Sequence, residues 1–177
     1  MDRNQLTYSI RLAEPQELPQ LPEIERRAGQ RFAAIDALRG MPEDVSPMAE
    51  LEQAWKAGRV WVAVLASGSI VGFAYAAVID GFCHLEELDV LPEHGRRGLG
   101  AALVDVVRRH AGEAGLDGVT LTTFRDVPWN APFYRRLGFR TLDPQTLPPG
   151  LAAAFADEAR RGLPTELRVV MFSNASG

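Results

Sequence analysis

Leu88–Val107 reads LDVLPEHGRRGLGAALVDVV. Leu88 and Val90 are the end of an apolar strand and Pro92 breaks it. Gly95-Arg96-Arg97-Gly98-Leu99-Gly100 then runs without pause into a helix. A helix start leaves its first N–H groups without intrahelical partners and carries the positive end of the macrodipole, so it attracts anions. Glycines there let a phosphate approach the backbone. With Arg96 and Arg97 adding charge, the local reading is a seat for a phosphate or pyrophosphate. Glycine-rich strand-to-helix turns also serve packing alone, with arginines as ordinary caps.

Downstream, apolar Leu99, Ala102, Leu103, Val106 and Val107 share one side of a helix over 98–114, which Gly115 ends. Upstream, Val60–Ala66 and Ile70–Ile79 are apolar runs and Phe82–Val90 is a third strand, joined by Ser67-Gly68-Ser69 and by Asp80-Gly81, a hairpin-type turn. They make an antiparallel meander whose third strand delivers the chain to the glycine turn. Val119–Phe124, reached through a helical crossover, belongs parallel to that third strand.

The flanks complete the pattern. Leu6, Tyr8, Ile10 and Leu12 alternate as in a half-buried strand; Leu18, Leu21, Ile24, Ala28 and Phe32 recur at helical spacing. Residues 36–46 read as a loop, and Ser46-Pro47 as the cap and first position of a short helix through Trp55. Asn130 is placed to cap a helix over Ala131–Leu137, followed by a strand at Phe139–Leu142, a helix at Leu151–Arg161 and a last strand at Leu167–Phe172. The expectation is one α/β (α+β) domain over 1–177, core 6–172, with a central mixed sheet of about six to seven strands flanked by helices.

Composition narrows the function. The chain has 177 residues, 46% hydrophobic and 24% charged, ample for one hydrophobic core. A net charge of -4 argues against a nucleic-acid binder; Arg96, Arg97, Arg108 and Arg109 make one basic spot, enough for a small anion rather than a polymer. The single cysteine, Cys83, excludes an intrachain disulfide and a multi-cysteine metal site, and no metal is expected. No apolar run approaches the ~18 residues of a membrane span and the N-terminus lacks a signal-peptide core, so a soluble cytoplasmic protein without membrane partners is expected.

Together with PWNAPFYRRLGF at 128–139, the 88–107 stretch resembles the GNAT superfamily of acyl-CoA-dependent N-acyltransferases. The element order from residue 6 to 172 matches as well. The resemblance implies acetyl-CoA as co-substrate and a primary amine of a small molecule or peptide as acceptor, with a homodimer left open. The family loop carries Gln or Arg, two variable residues, Gly, one variable residue, then Gly or Ala, and its amides hold the CoA pyrophosphate. Here Gly98, Leu99 and Gly100 match and Ala101 follows, whereas Gly95 stands at the first position and Arg96 one place later. The backbone cradle is therefore implied more firmly than any arginine contact, whether from Arg96 or Arg97. Leu88 and Val90 occupy the strand whose main chain, in the family, pairs with the pantetheine arm.

Tyr134 matches the tyrosine that many members place near the CoA sulfur to protonate the departing thiolate. A phenol, with a reference pKa of about 10 against about 8.5 for a thiol, is protonated and able to donate at neutral pH. Packing with Phe133 and Phe139 is the alternative. Asn130 matches an asparagine often found ahead of this helix, where capping and cofactor contact can coexist.

The attacking amine must lose a proton, and His84, Glu86, Glu87 and Asp89 on the strand before the loop are candidates to take it. Alternation places His84, Glu86, Leu88 and Val90 on one face and Glu87 and Asp89 on the other. Glu87 is the first choice and Glu86 the second; simple solvation at a cleft would also account for both. His94 reads as a surface residue. Asp36, Glu43, Asp44, Glu50 and Glu52 lie in the region that forms much of the acceptor wall in the family, either drawing in a cationic amine or merely solvated. Trp61 and Trp129 supply either an aromatic wall to the acceptor site or simply core, core being the safer reading.

Rival nucleotide sites fail on spacing. No G-x-x-x-x-G-K-[ST] is present and Lys56 is the one lysine; after Gly98 and Gly100 the third dinucleotide position is Leu103. The remaining rival is a CoA-binding sensor or regulatory module without turnover.

Overall fold

A computed structural model describes residues 7–42 and 44–175. Leu6 and Glu43, singled out above, lie outside the described residues. Seven strands form one sheet: β1 (Tyr8–Leu12), β2 (Val60–Leu65), β3 (Ile70–Ile79), β4 (Phe82–Val90), β5 (Val119–Phe124), β6 (Arg140–Thr141) and β7 (Arg168–Ser173). Their order is β1-β2-β3-β4-β5-β7-β6, antiparallel throughout except for β4 beside β5. The meander β2–β3–β4 and the parallel return to β5 follow the reading of the apolar runs. The tight β3–β4 turn works because Asp80 and Gly81 both take positive φ, 51° and 84°, as a two-residue hairpin of this hand requires. Asp80 has a second use: its carboxylate accepts the Leu151 N–H at 2.8 Å, near the start of α5 (Pro149–Arg160).

The helices are α1 (Leu21–Gly29), α2 (Met48–Lys56), α3 (Leu99–Glu113), α4 (Ala131–Arg136) and α5. Short 3-10 turns precede and follow α1, at Pro15–Gln20 and Gln30–Ala34. On one face of the sheet, Leu103, Val104, Val107 and Ala111 of α3 pack with Ala74, Ala76, Cys83, Leu85, Val119 and Leu121. On the other, Leu21 and Ile24 of α1 and Leu51 and Ala54 of α2 pack with Val60, Val62, Phe73 and Tyr75. The result is three layers, and β2 and β3 read as continuous apolar runs because helices cover both of their faces.

Two features of β4 differ from plain alternation. Tyr75 pairs with Glu87 and Ala76 with Leu85, so Glu86 is an extra residue on β4, a β-bulge. The bulge resets the pleat. Cys83, Leu85, Leu88 and Val90 therefore share the α3 side, and His84 does not share a face with Leu88 and Val90 as a strict period of two would have it. The pairing of β4 with β5 also stops early, covering only Cys83–Val119, His84–Thr120 and Leu85–Leu121. Beyond that point β4 stays with β3 and β5 with β7. The two central strands part, with the bulge at the fork.

Candidate active site

The fork opens a cleft of about 440 Å³. Its floor is Leu85–Asp89 of β4 and Leu121–Phe124 of β5, and its walls come from α1, the 3-10 turn at 30–34, the loop before α2, α4 and α5. The glycine turn lies at the far end of β4, where the chain enters α3.

In that turn Arg96 and Gly98 adopt left-handed φ of 59° and 81°. The first hydrogen bond of α3 runs from the Ala102 N–H to the Gly98 carbonyl at 3.0 Å, so the amides before it have no intrahelical acceptor. The two key glycines have different reasons. A Cβ at Gly98 would meet nothing within 4 Å, and its φ is the constraint; a Cβ at Gly100 would sit 3.2 Å from the Phe133 ring and 3.8 Å from Leu88. Gly100 thus lets α4 and β4 close onto the start of α3. Leu99 is buried and anchors the helix, Ala101 is half-buried, and Gly95 and Arg96 are exposed. Arg97 donates to the Tyr8 hydroxyl at 3.1 Å, and that hydroxyl lies 3.2 Å from His94 Nδ1. His94 is half-buried and linked to β1 rather than a free surface group. An Arg27–Glu93 ion pair at 2.7 Å ties the turn to α1. Free amides beside exposed Arg96 suit a multiply charged anion.

The carboxylates of β4 gather at the fork. Glu86, thrown outward by the bulge, is exposed to the cleft; Glu87 is half-buried and Asp89 only 7% exposed. Although Glu86 opens to the cleft, desolvation by the surrounding walls pushes it up to about 7, with Glu50 reinforcing it, and burial pushes Glu87 up to about 7, with Glu25 reinforcing it. Asp89 is held well above the ordinary carboxylate range by burial and then by Glu87 and Glu25. Glu25 of α1 is raised by burial too, although it accepts the Ser46 N–H at 3.0 and 2.9 Å. Ser46 does not cap α2: Pro47 takes the cap position, and the Ser46 amide one residue earlier is tied to Glu25.

Tyr134 of α4 packs edge-on to Phe133 and Phe139, at centroid distances of 5.0 and 5.4 Å, and also lines the cleft. The ring thus combines the packing contacts with a place in the cleft wall. Burial raises its phenol pKa, and Glu87 and Asp89 raise it further, so the proton is retained at neutral pH. Asn130 holds the cap position of α4 without a side-chain cap bond, and its Oδ1 is buried without a protein partner. His84 is buried, bonded to Thr120 Oγ1 at 2.9 Å and pushed down to about 4 by burial. It joins the strands just before they part.

The acidic residues of the acceptor region separate. Asp44 and Glu50 line the cleft, the latter taking a hydrogen bond from Tyr75 at 3.4 Å. Asp36 pairs with Arg39 at 2.7 Å on the surface, and Glu52 is exposed outside the cleft. Trp61 is core, edge-on to His110. Glu25, Arg31, Tyr75, Glu158, Arg161 and Arg168 also line the cleft and were not singled out by motif or spacing. Glu25 beside the apolar Ile24–Ala28 stripe was the one available signal, since a carboxyl next to a buried face demands a partner. Among the described residues, no group of His, Cys, Asp and Glu could hold a metal ion.

Residues 24–139 match the Acetyltransferase (GNAT) family. Among solved structures, the fold is similar to a GNAT-family acetyltransferase from Staphylococcus aureus, at 18% identity and TM-score 0.74 over 96% of this chain and 100% of that one. It is similar to PaiA N-acetyltransferase from Thermoplasma acidophilum in complex with coenzyme A, at 16% identity and TM-score 0.66 over 96% and 99%. N-acetylglutamate synthase from Neisseria gonorrhoeae, complexed with coenzyme A and N-acetylglutamate, aligns at 15% identity and TM-score 0.72 over 98% of this chain. The chain spans 36% of the length of that synthase.

Proposed function

Because the chain belongs to the acetyltransferase (GNAT) family, we propose that it moves an acetyl group from acetyl-CoA to a primary amine of a small molecule or peptide by direct attack. The observation that carries this reading is the parting of β4 from β5 beside a helix start with free amides. Past Leu85, main-chain groups of β4 have no partner strand on the β5 side; the Leu88 N–H there donates to the Glu87 carboxylate at 3.2 Å, and the other main-chain groups at Leu88 and Val90 on that side can pair with an extended amide-bearing arm. The turn from Gly95 through Ala101, with Arg96 and Arg97, holds the pyrophosphate. Asn130, with its unpartnered buried Oδ1, takes a donor from the same molecule. Acetyl-CoA supplies a thioester, whose carbonyl carbon is open to the amine and whose sulfur can leave.

The chain's own residues handle the protons. Glu87, with Glu86 beside it, accepts the proton that the amine sheds as its nitrogen bonds to carbon. A carboxylate near pKa 7 is a far better base than an ordinary one and is still substantially ionised at neutral pH. Tyr134 gives its phenol proton to the sulfur as the carbon–sulfur bond breaks. Its depth in the site keeps that proton in place until it is needed.

Calorimetry with acetyl-CoA, followed by thiol release over an amine panel, tests this. Binding and amine-dependent release are expected. Binding without release from any amine would leave a CoA-binding module without turnover, and no binding at millimolar acetyl-CoA would overturn the reading altogether.

A further inference from the structure

The cleft holds one cation whose surroundings differ from those of the others. Arg168 pairs with Glu158 at 2.7 Å, Arg39 with Asp36 and Arg26 with Glu23, while Arg161 is exposed at the end of α5, with neither an ion pair nor an aromatic face against it among the described residues. Arg31, in the 3-10 turn after α1, makes no ion pair or hydrogen bond among the described residues. Aromatic faces hold it instead. Its guanidinium carbon lies 5.0 Å from the centroid of Trp129 and 5.9 Å from that of Phe32, and those two rings contact each other at 5.7 Å. Stacking of this kind fixes the plane of a guanidinium while leaving its N–H edge free, and that edge matches a carboxylate.

Arg31 also lines the cleft at its reacting end, close enough to Glu87 and Asp89 to interact with them electrostatically and near Tyr134. It is exposed to the cleft, where partial desolvation disfavours its charge without removing it and an incoming anion would stabilise it. Glu87 and Asp89 act on it electrostatically but make no ion pair or hydrogen bond with it among the described residues, and three other cleft carboxylates are engaged elsewhere. Glu158 is held by Arg168, Glu25 by the Ser46 amide and Glu50 by Tyr75.

We propose that Arg31 is a specificity-determining residue that binds a carboxylate on the acceptor, so that the preferred acceptor is a primary amine bearing a carboxylate, an amino acid being the simplest form. The inference rests on the acetyltransferase reading above and names its acceptor class. The amine of such a molecule lies toward Glu87 and Tyr134 and its carboxylate toward Arg31. An acceptor with a second ammonium in place of the carboxylate meets Arg31 with like charge.

The test is thiol release from acetyl-CoA with straight-chain amino acids of increasing amine-to-carboxylate separation, each paired with its carboxamide, and with linear diamines. At the best separation the acid is expected to exceed its amide in kcat/KM by about 10- to 100-fold, the worth of one hydrogen bond between charged groups. Arg31→Gln should erase that preference through KM, with acetyl-CoA binding by calorimetry unchanged, and Arg31→Lys should restore part of it. Amides or diamines used as well as acids would overturn the proposal while leaving acetyl transfer standing. So would Arg31→Gln lowering acid and amide equally. Absence of turnover with every amine would remove the parent reading and this one together.

Discussion

In the mechanism proposed, Tyr134, Glu86 and Glu87 carry the chemistry, and each owes its property to its local surroundings. Tyr134 keeps its proton because the ring is sunk between Phe133 and Phe139. Tyr134→Phe is expected to lower kcat by about 100-fold, within the usual range for a general acid, and to leave acetyl-CoA affinity unchanged by calorimetry. An unchanged kcat would remove the acid role. Glu86 and Glu87 have raised pKa values because they are crowded by protein and by other carboxylates, so kcat/KM should climb as pH rises through about 7. Glu87→Gln should flatten that limb, which a pH–rate profile reads directly. At this scale the sequence was legible where a motif named the residue, as for Tyr134 and Gly98, and illegible where the neighbours were distant. Arg31, Glu25 and Glu158 reach the site from three separate elements, and only Glu25, next to a buried stripe, carries any mark in its own segment.

The strands and helices were easier to read than their details. Continuous apolar runs gave β2 and β3, the Asp80-Gly81 turn gave the hairpin, and Gly115 marked the end of α3. The bulge at Glu86 was not legible, since one extra residue leaves no trace in a period-two pattern until the partner strand is known. It decides which side chains reach the cleft. Asn130 and Ser46 likewise sit at helix starts as anticipated, but capping propensity was overridden by tertiary contacts in one case and by burial without a bond in the other. The glycine turn makes its own prediction. Gly98→Ala must place a Cβ at φ 81°, costing about 1–2 kcal/mol of strain or a rearranged turn, and should weaken acetyl-CoA binding in calorimetry. Gly100→Val should do the same by pushing Phe133 away, with a lower melting temperature as a second sign.

For the molecule as a whole, the site is held at a cost in stability that depends on pH. The folded pKa values of Glu86 and Glu87 lie above their unfolded values of about 4.3, so the native state binds more protons than the unfolded one between those limits. Their contribution to stability is fully present below about pH 4 and is lost as pH rises through about 7. Thermal melts should show this loss superimposed on the other titrations, and Glu87→Gln should reduce the slope in that window. The scaffold bears the cost through the two packed faces of the sheet. Leu103, fully buried between α3 and β4, is expected to cost about 2–5 kcal/mol on truncation to Ala in chemical denaturation. All of these effects bear on the one event proposed, acetyl transfer at the fork between β4 and β5. The most direct test is to supply acetyl-CoA and a primary amine and follow both products at once, free thiol by absorbance and the acetylated amine by mass spectrometry. Equal amounts of the two, formed only when both substrates are present and lost in Tyr134→Phe, are the result predicted here; thiol release without any acetylated amine, or neither product with any amine, would contradict it.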